Sequence, residues 1–183
     1  MSETQNKPVP FDAELLRKYD TFGPRYTSYP TALQFSPDFA ENEYIEEIAQ
    51  SNSDGGPLSL YFHIPFCESL CFYCACNKII THTHDRAIPY LERLHKEVSM
   101  QAALIDDQRQ VNQLHFGGGT PTFLSDEQLN NLMRVTGEHF NLAPLDEREF
   151  SVAVDPGAVR EKTVSCLSEF GFNRISLGVQ DFD

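Results

Sequence analysis

Four of the five cysteines in this 183-residue chain, Cys67, Cys71, Cys74 and Cys76, fall within ten residues. They follow Leu58–His63, a short apolar run of strand character, so the thiols sit on a loop at that strand's carboxyl end. The first three are spaced C-x3-C-x2-C. Disulfides suit this pattern poorly, because nothing in the sequence reads as secretory and closely spaced thiols more often serve metals or redox chemistry. A structural zinc wants four ligands, usually as two separated pairs, whereas Cys74 and Cys76 are too close together to share one tetrahedral ion comfortably. Three thiolates on one loop can instead hold three irons of a 4Fe–4S cluster and leave the fourth open. S-adenosylmethionine (SAM) could chelate that iron through its amino and carboxylate groups.

The elements that must position this loop follow a strand–helix alternation. Gln113–Phe116 reads as a second strand, followed at once by Gly117-Gly118-Gly119-Thr120-Pro121. Glycines there let the backbone approach a ligand and take positive φ, but the run lacks the lysine and spacing of a Walker loop. Phe150–Val154 is a third strand stopped by Asp155-Pro156-Gly157, and Arg174–Gly178 is a fourth, leading to Gln180. Between them lie helices. Asp85–Ile105 carries Ile88, Leu91, Leu94, Val98 and Ile105 on one stripe. A second begins at the Ser125/Gln128 capping box and runs toward Phe140, and a third carries Val164, Leu167 and Phe170 before Gly171. Cys166, in that last helix, reads as core. His82 and His84 read as solvated loop histidines with no metal-ligand spacing.

The predicted class is therefore α/β, with about four parallel strands in a sheet covered by helices. Each candidate site falls at a strand's carboxyl end, where such folds gather their chemistry. Ahead of this lies a segment of different character. Residues 1–11 are a polar tail, Asp12 caps a short helix to Tyr19, and Gly23–Ala32 is extended and bears Arg25, Tyr26 and Tyr29. Ser36-Pro37-Asp38 opens a further helix with Phe39, Tyr44, Ile45 and Ile48 on one face, ended by Ser51–Pro57. Residues 1–57 are thus expected as an N-terminal segment and 58–183 as the main domain.

Composition narrows the function classes. The chain is 40% hydrophobic and 22% charged, as expected of a soluble globular protein. A net charge of −13 argues against nucleic acid as a partner. No apolar run reaches membrane-spanning length and Met1–Lys7 is polar, so neither membrane insertion nor a signal peptide is expected. Reduced thiols fit a cytoplasmic location.

The cysteine spacing after a first strand resembles the radical SAM superfamily. His63-Ile-Pro-Phe-Cys67, Cys74-Ala-Cys76-Asn77, the glycine run and the Arg25-Tyr-Thr-Ser-Tyr-Pro30 string resemble, within it, the oxygen-independent coproporphyrinogen III oxidases. The resemblance implies the first part of a radical SAM (βα) barrel, with a 4Fe–4S cluster on Cys67, Cys71 and Cys74; Cys76 is a hallmark but not a ligand. It implies SAM contacts from Tyr61, Tyr73, Gly118, Gly119, Thr120 and Gln180, and suggests that Arg25 grips a substrate propionate. In such enzymes a 5′-deoxyadenosyl radical takes hydrogen from the propionate β-carbon. Loss of carbon dioxide and an electron then turns coproporphyrinogen III into protoporphyrinogen IX for haem synthesis. An electron donor is required, and the full-length enzyme is expected to be monomeric.

One position departs from the pattern: Ala153 stands where the family has a glutamate that holds a SAM ribose. Four strands cannot close a barrel, so the 183 residues are expected to be the front part of a larger enzyme. A haem-binding chaperone of the same ancestry is the rival reading. It ordinarily lacks both Cys76 and the Arg25–Pro30 string.

Overall fold

The computed structural model describes residues 11–20, 31–72, 74–157, 159 and 161–178. The chain divides into two compact units, 1–40 and 41–183. In the first, α1 (Ala13–Tyr19) is capped by Asp12, whose carboxylate accepts from the backbone N–H of Glu14 and Leu15 at 2.9 and 3.0 Å. Ser36 and Asp38 do not cap a helix as expected. They bond one another, the Ser36 hydroxyl donating to Asp38 and accepting from its N–H, which closes a local turn.

In the second unit that helix, α2 (Glu41–Asp54), begins later than the sequence suggests and buries none of its residues. Hydrogen bonds tether it. Asn52 donates to the Leu104 carbonyl at 2.8 Å, and Arg109 donates to the Ser51 hydroxyl and to Asn52 Oδ1, each at 3.1 Å. The strands then follow: β1 (Leu58–Ile64), the short β2 (Phe66–Cys67) and β3 (Ile79–Ile80), β4 (Gln110–Gly118), β5 (Asn141–Leu142), β6 (Glu149–Val154) and β7 (Arg174–Leu177). The helices are α3 (Ala87–Ala102), α4 (Asp126–His139) and α5 (Glu161–Glu169). The main sheet runs β1-β4-β6-β7, parallel throughout, with β5 appended to β4.

A monotonic strand order with right-handed crossovers places successive helices on the same side of the sheet. Burial agrees. Phe62 and Ile64 of β1, Leu114 and Phe116 of β4, and Phe150, Val152 and Val154 of β6 are buried with Leu91, Leu94 and Val98 of α3 and Leu129 and Leu132 of α4. The intervening residues Tyr61, His63, His115, Ser151 and Ala153 are not. The expected sheet covered by helices is thus covered on one face among the described residues. The other face presents Tyr61, His63, His115 and Ser151 and is polar.

Strand two is longer than Gln113–Phe116 and contains Gly117 and Gly118, which stand in register with His63 and Ile64. Its apolar residues Val111 and Leu114 are three apart, which a regular strand would send to opposite faces. A register shift resolves this: Leu58 pairs with Val111 and Ser59 with Gln113, leaving Asn112 as the extra residue. The capping box on α4 forms as expected, with Ser125 and Gln128 bonding each other's backbone N–H at 3.2 and 2.9 Å. Gly171 takes φ +83° against the Arg148 guanidinium, which donates to the Phe170 and Ala143 carbonyls.

Candidate cluster and cofactor site

The cysteine loop is pinched at its base. β2 and β3 pair in parallel, Phe66 with Ile79 and Cys67 with Ile80, while the N–H of Ile79 donates to Pro65 at 2.7 Å and that of Thr81 to Cys67 at 2.9 Å. Both ends of the thiol-bearing stretch are thereby fixed on the carboxyl end of β1. Inside it, Lys78 donates through Nζ to the carbonyls of Cys74 and Cys76 at 3.2 and 3.4 Å.

The N–H of Cys76 points at Cys74 Sγ, 3.4 Å away. That bond, helped by the nearby Lys78 charge, pushes the Cys74 thiol down, while burial and the Cys74 bond push Cys76 up. A lowered thiol is the one readier to ligate a metal. All five cysteines are free. Among the described residues no three His, Cys, Asp or Glu side chains are gathered around one point where an ion would sit. The thiols therefore share a loop without converging. Because ligands are drawn together as a metal binds, their type and fixed loop ends fit such a group.

The glycine turn locks onto this loop. Gly119 N–H donates to the Ile64 carbonyl and Thr120 N–H to the Phe66 carbonyl, each at 2.8 Å. The Thr120 hydroxyl donates to Cys67 Sγ at 3.6 Å. A Cβ at Gly119 would stand 2.6 Å from the Phe66 carbonyl oxygen and 2.9 Å from Cys67 Sγ, so only glycine lets the turn lie against the first cysteine. The N–H groups of Gly119 and Thr120 are thus already engaged within the protein. The Gly119 carbonyl takes no hydrogen bond among the described residues and can accept from a ligand ammonium.

The other two glycines make room for imidazoles. A Cβ at Gly117 would meet His115 Nε2 at 2.8 Å and the Tyr61 ring at 3.0 Å; one at Gly118, whose φ is +105°, would meet the His63 ring at 2.8 Å. The rings so admitted form a chain across the polar face. Tyr61 is stacked on His115, centroids 5.7 Å apart, and its hydroxyl lies 3.1 Å from His63 Nδ1. Burial, with the Cys76 charge, pushes the Tyr61 hydroxyl up, so it stays a donor. His63 Nε2 reaches the Asn77 carbonyl at 2.9 Å. A carbonyl only accepts, so Nε2 carries the proton and Nδ1 accepts from Tyr61. One imidazole thereby ties β1 to the cysteine loop.

Of the residues expected at the site, Cys67, Gly119 and Thr120 come together in one cluster, and Tyr61 and Gly118 join them through His63. Ala153 lies on the same face of β6, in register with Ser176. Asp155 accepts from the Gly157 N–H at 2.9 Å. Arg25, Tyr73 and Gln180 lie outside the described residues, as do Tyr26 and Tyr29. His84 is exposed, as expected of a solvated residue, but it is held in place. It stacks on Phe123 at 4.4 Å, Nδ1 bonds the Phe123 carbonyl at 3.0 Å, and Nε2 lies 3.0 Å from Glu68. The turn His84–Arg86 carries it there, beside a cavity of about 810 Å³ lined also by Thr120, Ser125 and Asp155.

Sequence reasoning missed His63, His115 and Ser151. The available signal was alternation: each occupies a polar position between buried neighbours on its strand.

The sequence profile of the Radical SAM superfamily matches residues 61–183. The oxygen-independent coproporphyrinogen III oxidase of Pseudomonas aeruginosa is 49% identical over 175 residues, covering 96% of this chain and 38% of that protein. A protein of the same name from Mannheimia haemolytica is 42% identical over 146 residues, 80% of this chain and 97% of that sequence. The solved coproporphyrinogen III oxidase of Escherichia coli, described as a radical SAM enzyme, superposes with a TM-score of 0.83 at 43% identity. That match covers 97% of this chain and 38% of the solved one, so the chain spans well under half the length of these longer relatives.

Proposed function

From the premise that this chain belongs to the radical SAM superfamily, and within it to the oxygen-independent coproporphyrinogen III oxidases, we propose that it holds the cluster and the SAM of such an oxidase. The reaction served is oxidative decarboxylation of coproporphyrinogen III propionates. Cys67, Cys71 and Cys74 would ligate the cluster, leaving Cys76 as a donor to Cys74 through its backbone. When bound, cluster and SAM supply an electron and a hydrogen-abstracting organic radical.

The chain's own residues set the stage. Lys78 and the Cys76 N–H favour thiolate at Cys74, Thr120 and Gly119 fix Cys67, and His63 holds Tyr61 against the loop. Tyr61, Tyr73, Gly118, Gly119, Thr120 and Gln180 are the proposed SAM neighbours, with the Gly119 carbonyl accepting from the ammonium. Arg25 is the proposed partner of a substrate carboxylate. An electron donor, a cytoplasmic setting and a monomeric full-length enzyme complete the proposal. No described helix is long and apolar enough to cross a membrane.

The observation that carries this reading is the lock between the cysteine loop and the glycine turn: two backbone bonds of 2.8 Å and the Thr120–Cys67 contact. Anaerobic reconstitution tests it. We expect about four iron and four sulfide per chain, lost in Cys67→Ala, Cys71→Ala and Cys74→Ala but kept in Cys76→Ala. Reductant and SAM should then yield 5′-deoxyadenosine, assayed with and without coproporphyrinogen III. Zinc bound without sulfide would overturn the reading.

A further inference from the structure

His115 has a partner that fixes which of its nitrogens is bare. Its Nδ1 lies 2.7 Å from Ser151 Oγ, and Ser151 Oγ also reaches the Leu114 carbonyl at 3.4 Å. A serine hydroxyl has one proton to give, and a carbonyl can only accept. Both contacts are hydrogen bonds only if Ser151 donates to Leu114 and His115 Nδ1–H donates to Ser151. The proton is then on Nδ1 and the lone pair on Nε2.

That Nε2 hangs over Gly117, at 2.8 Å from where a Cβ would stand, with the Tyr61 ring stacked beside it. It has no hydrogen-bond partner among the described residues. Unlike Nε2 of His95, it is not sealed in the interior, so it is reachable from the open polar face. Burial keeps the ring neutral by pushing its proton affinity down. Of the two imidazoles on this face, His63 is saturated and His115 keeps an open acceptor.

We infer that His115, oriented by Ser151 and seated over Gly117, is a ligand-binding residue whose Nε2 accepts a hydrogen bond from an N–H donor of the bound molecule. This rests on the reading of the face as a SAM and porphyrinogen site. Two sources of that chemistry are at hand there: the adenine amino group of SAM and the pyrrole N–H groups of the tetrapyrrole. A carboxylate would be repelled by the same lone pair, so Nε2 selects against propionate at this spot.

The test starts with ¹⁵N-histidine NMR on the cluster-free chain, needing no cofactor. The expected signal for His115 is protonated Nδ1 and bare Nε2, with the tautomer ratio moving toward Nε2–H in Ser151→Ala. A predominantly Nε2–H ring in the unaltered chain overturns the inference while leaving the cluster proposal intact. On the reconstituted chain, His115→Phe keeps the ring stack and removes the acceptor. Equilibrium dialysis should show about a tenfold weaker affinity for SAM if adenine is the donor, or for coproporphyrinogen III with SAM unchanged if pyrrole is. Unaltered affinity for both, beside an unaltered chain that binds them, overturns the inference. An unaltered chain that binds neither overturns the functional reading itself.

Discussion

The two faces of the main sheet are built from alternate residues of the same strands and do opposite things. Phe62, Ile64, Leu114, Phe116, Phe150 and Val152 point one way and are at most 6% exposed. Tyr61, His63, His115, Ser151 and Ala153 point the other way and present hydroxyls and imidazoles. Apolar side chains stabilise by leaving water, in proportion to area, whereas a polar pair exchanges one hydrogen bond for another and gains little net. The apolar face therefore holds the fold, and the polar face is free to hold a ligand. The two share a backbone, so a side chain on one fixes the position of a side chain on the other to within the strand's rigidity.

The largest expected effect lies on the apolar face. Phe150 is fully buried against Phe172, and Phe150→Ala should cost about 3–5 kcal/mol in urea unfolding. A loss below about 1 kcal/mol would mean that this face does not carry the fold.

Next comes the polar face at Ala153. Placing a carboxylate there, Ala153→Glu, should tighten SAM binding by about 1.5–3 kcal/mol, tenfold or more, in equilibrium dialysis. Unchanged affinity would show that this end of β6 is not where the ribose lies.

The smallest effect is expected from Tyr61→Phe, which deletes only the hydroxyl at His63. Stability should fall by about 0.5–1.5 kcal/mol, while NMR should show His63 keeping the Nε2–H tautomer that the Asn77 carbonyl fixes, with Nδ1 left without its donor. A cost as large as that of Phe150→Ala would erase the distinction between the faces.

Much of this was legible beforehand. The cysteine spacing, the capping box of α4 and the four principal strands each rest on local chemistry, which a linear sequence carries whole. The helix start was not legible: Ser36-Pro37-Asp38 reads as a good helix opening, but Ser36 and Asp38 bond one another and α2 starts at Glu41. Nor was the stripe of α3 fully read, since Ile88 is 49% exposed while Ala87 is buried. The bulge at Asn112 likewise has no local signature, because pairing register belongs to two strands at once.

The glycines show the division most sharply. Sequence alone established that Gly117–Gly119 stand at the carboxyl end of a strand and free the backbone to approach something; the strand itself runs on through Gly118. Only tertiary structure decided what is approached. His115 and Tyr61 lie over Gly117, His63 over Gly118, and the Phe66 carbonyl and Cys67 sulfur against Gly119. The absence of a side chain is written in the sequence. What fills the space comes from chain segments up to fifty-six residues away, from Tyr61 to Gly117, brought into register by the pairing of β1 with β4.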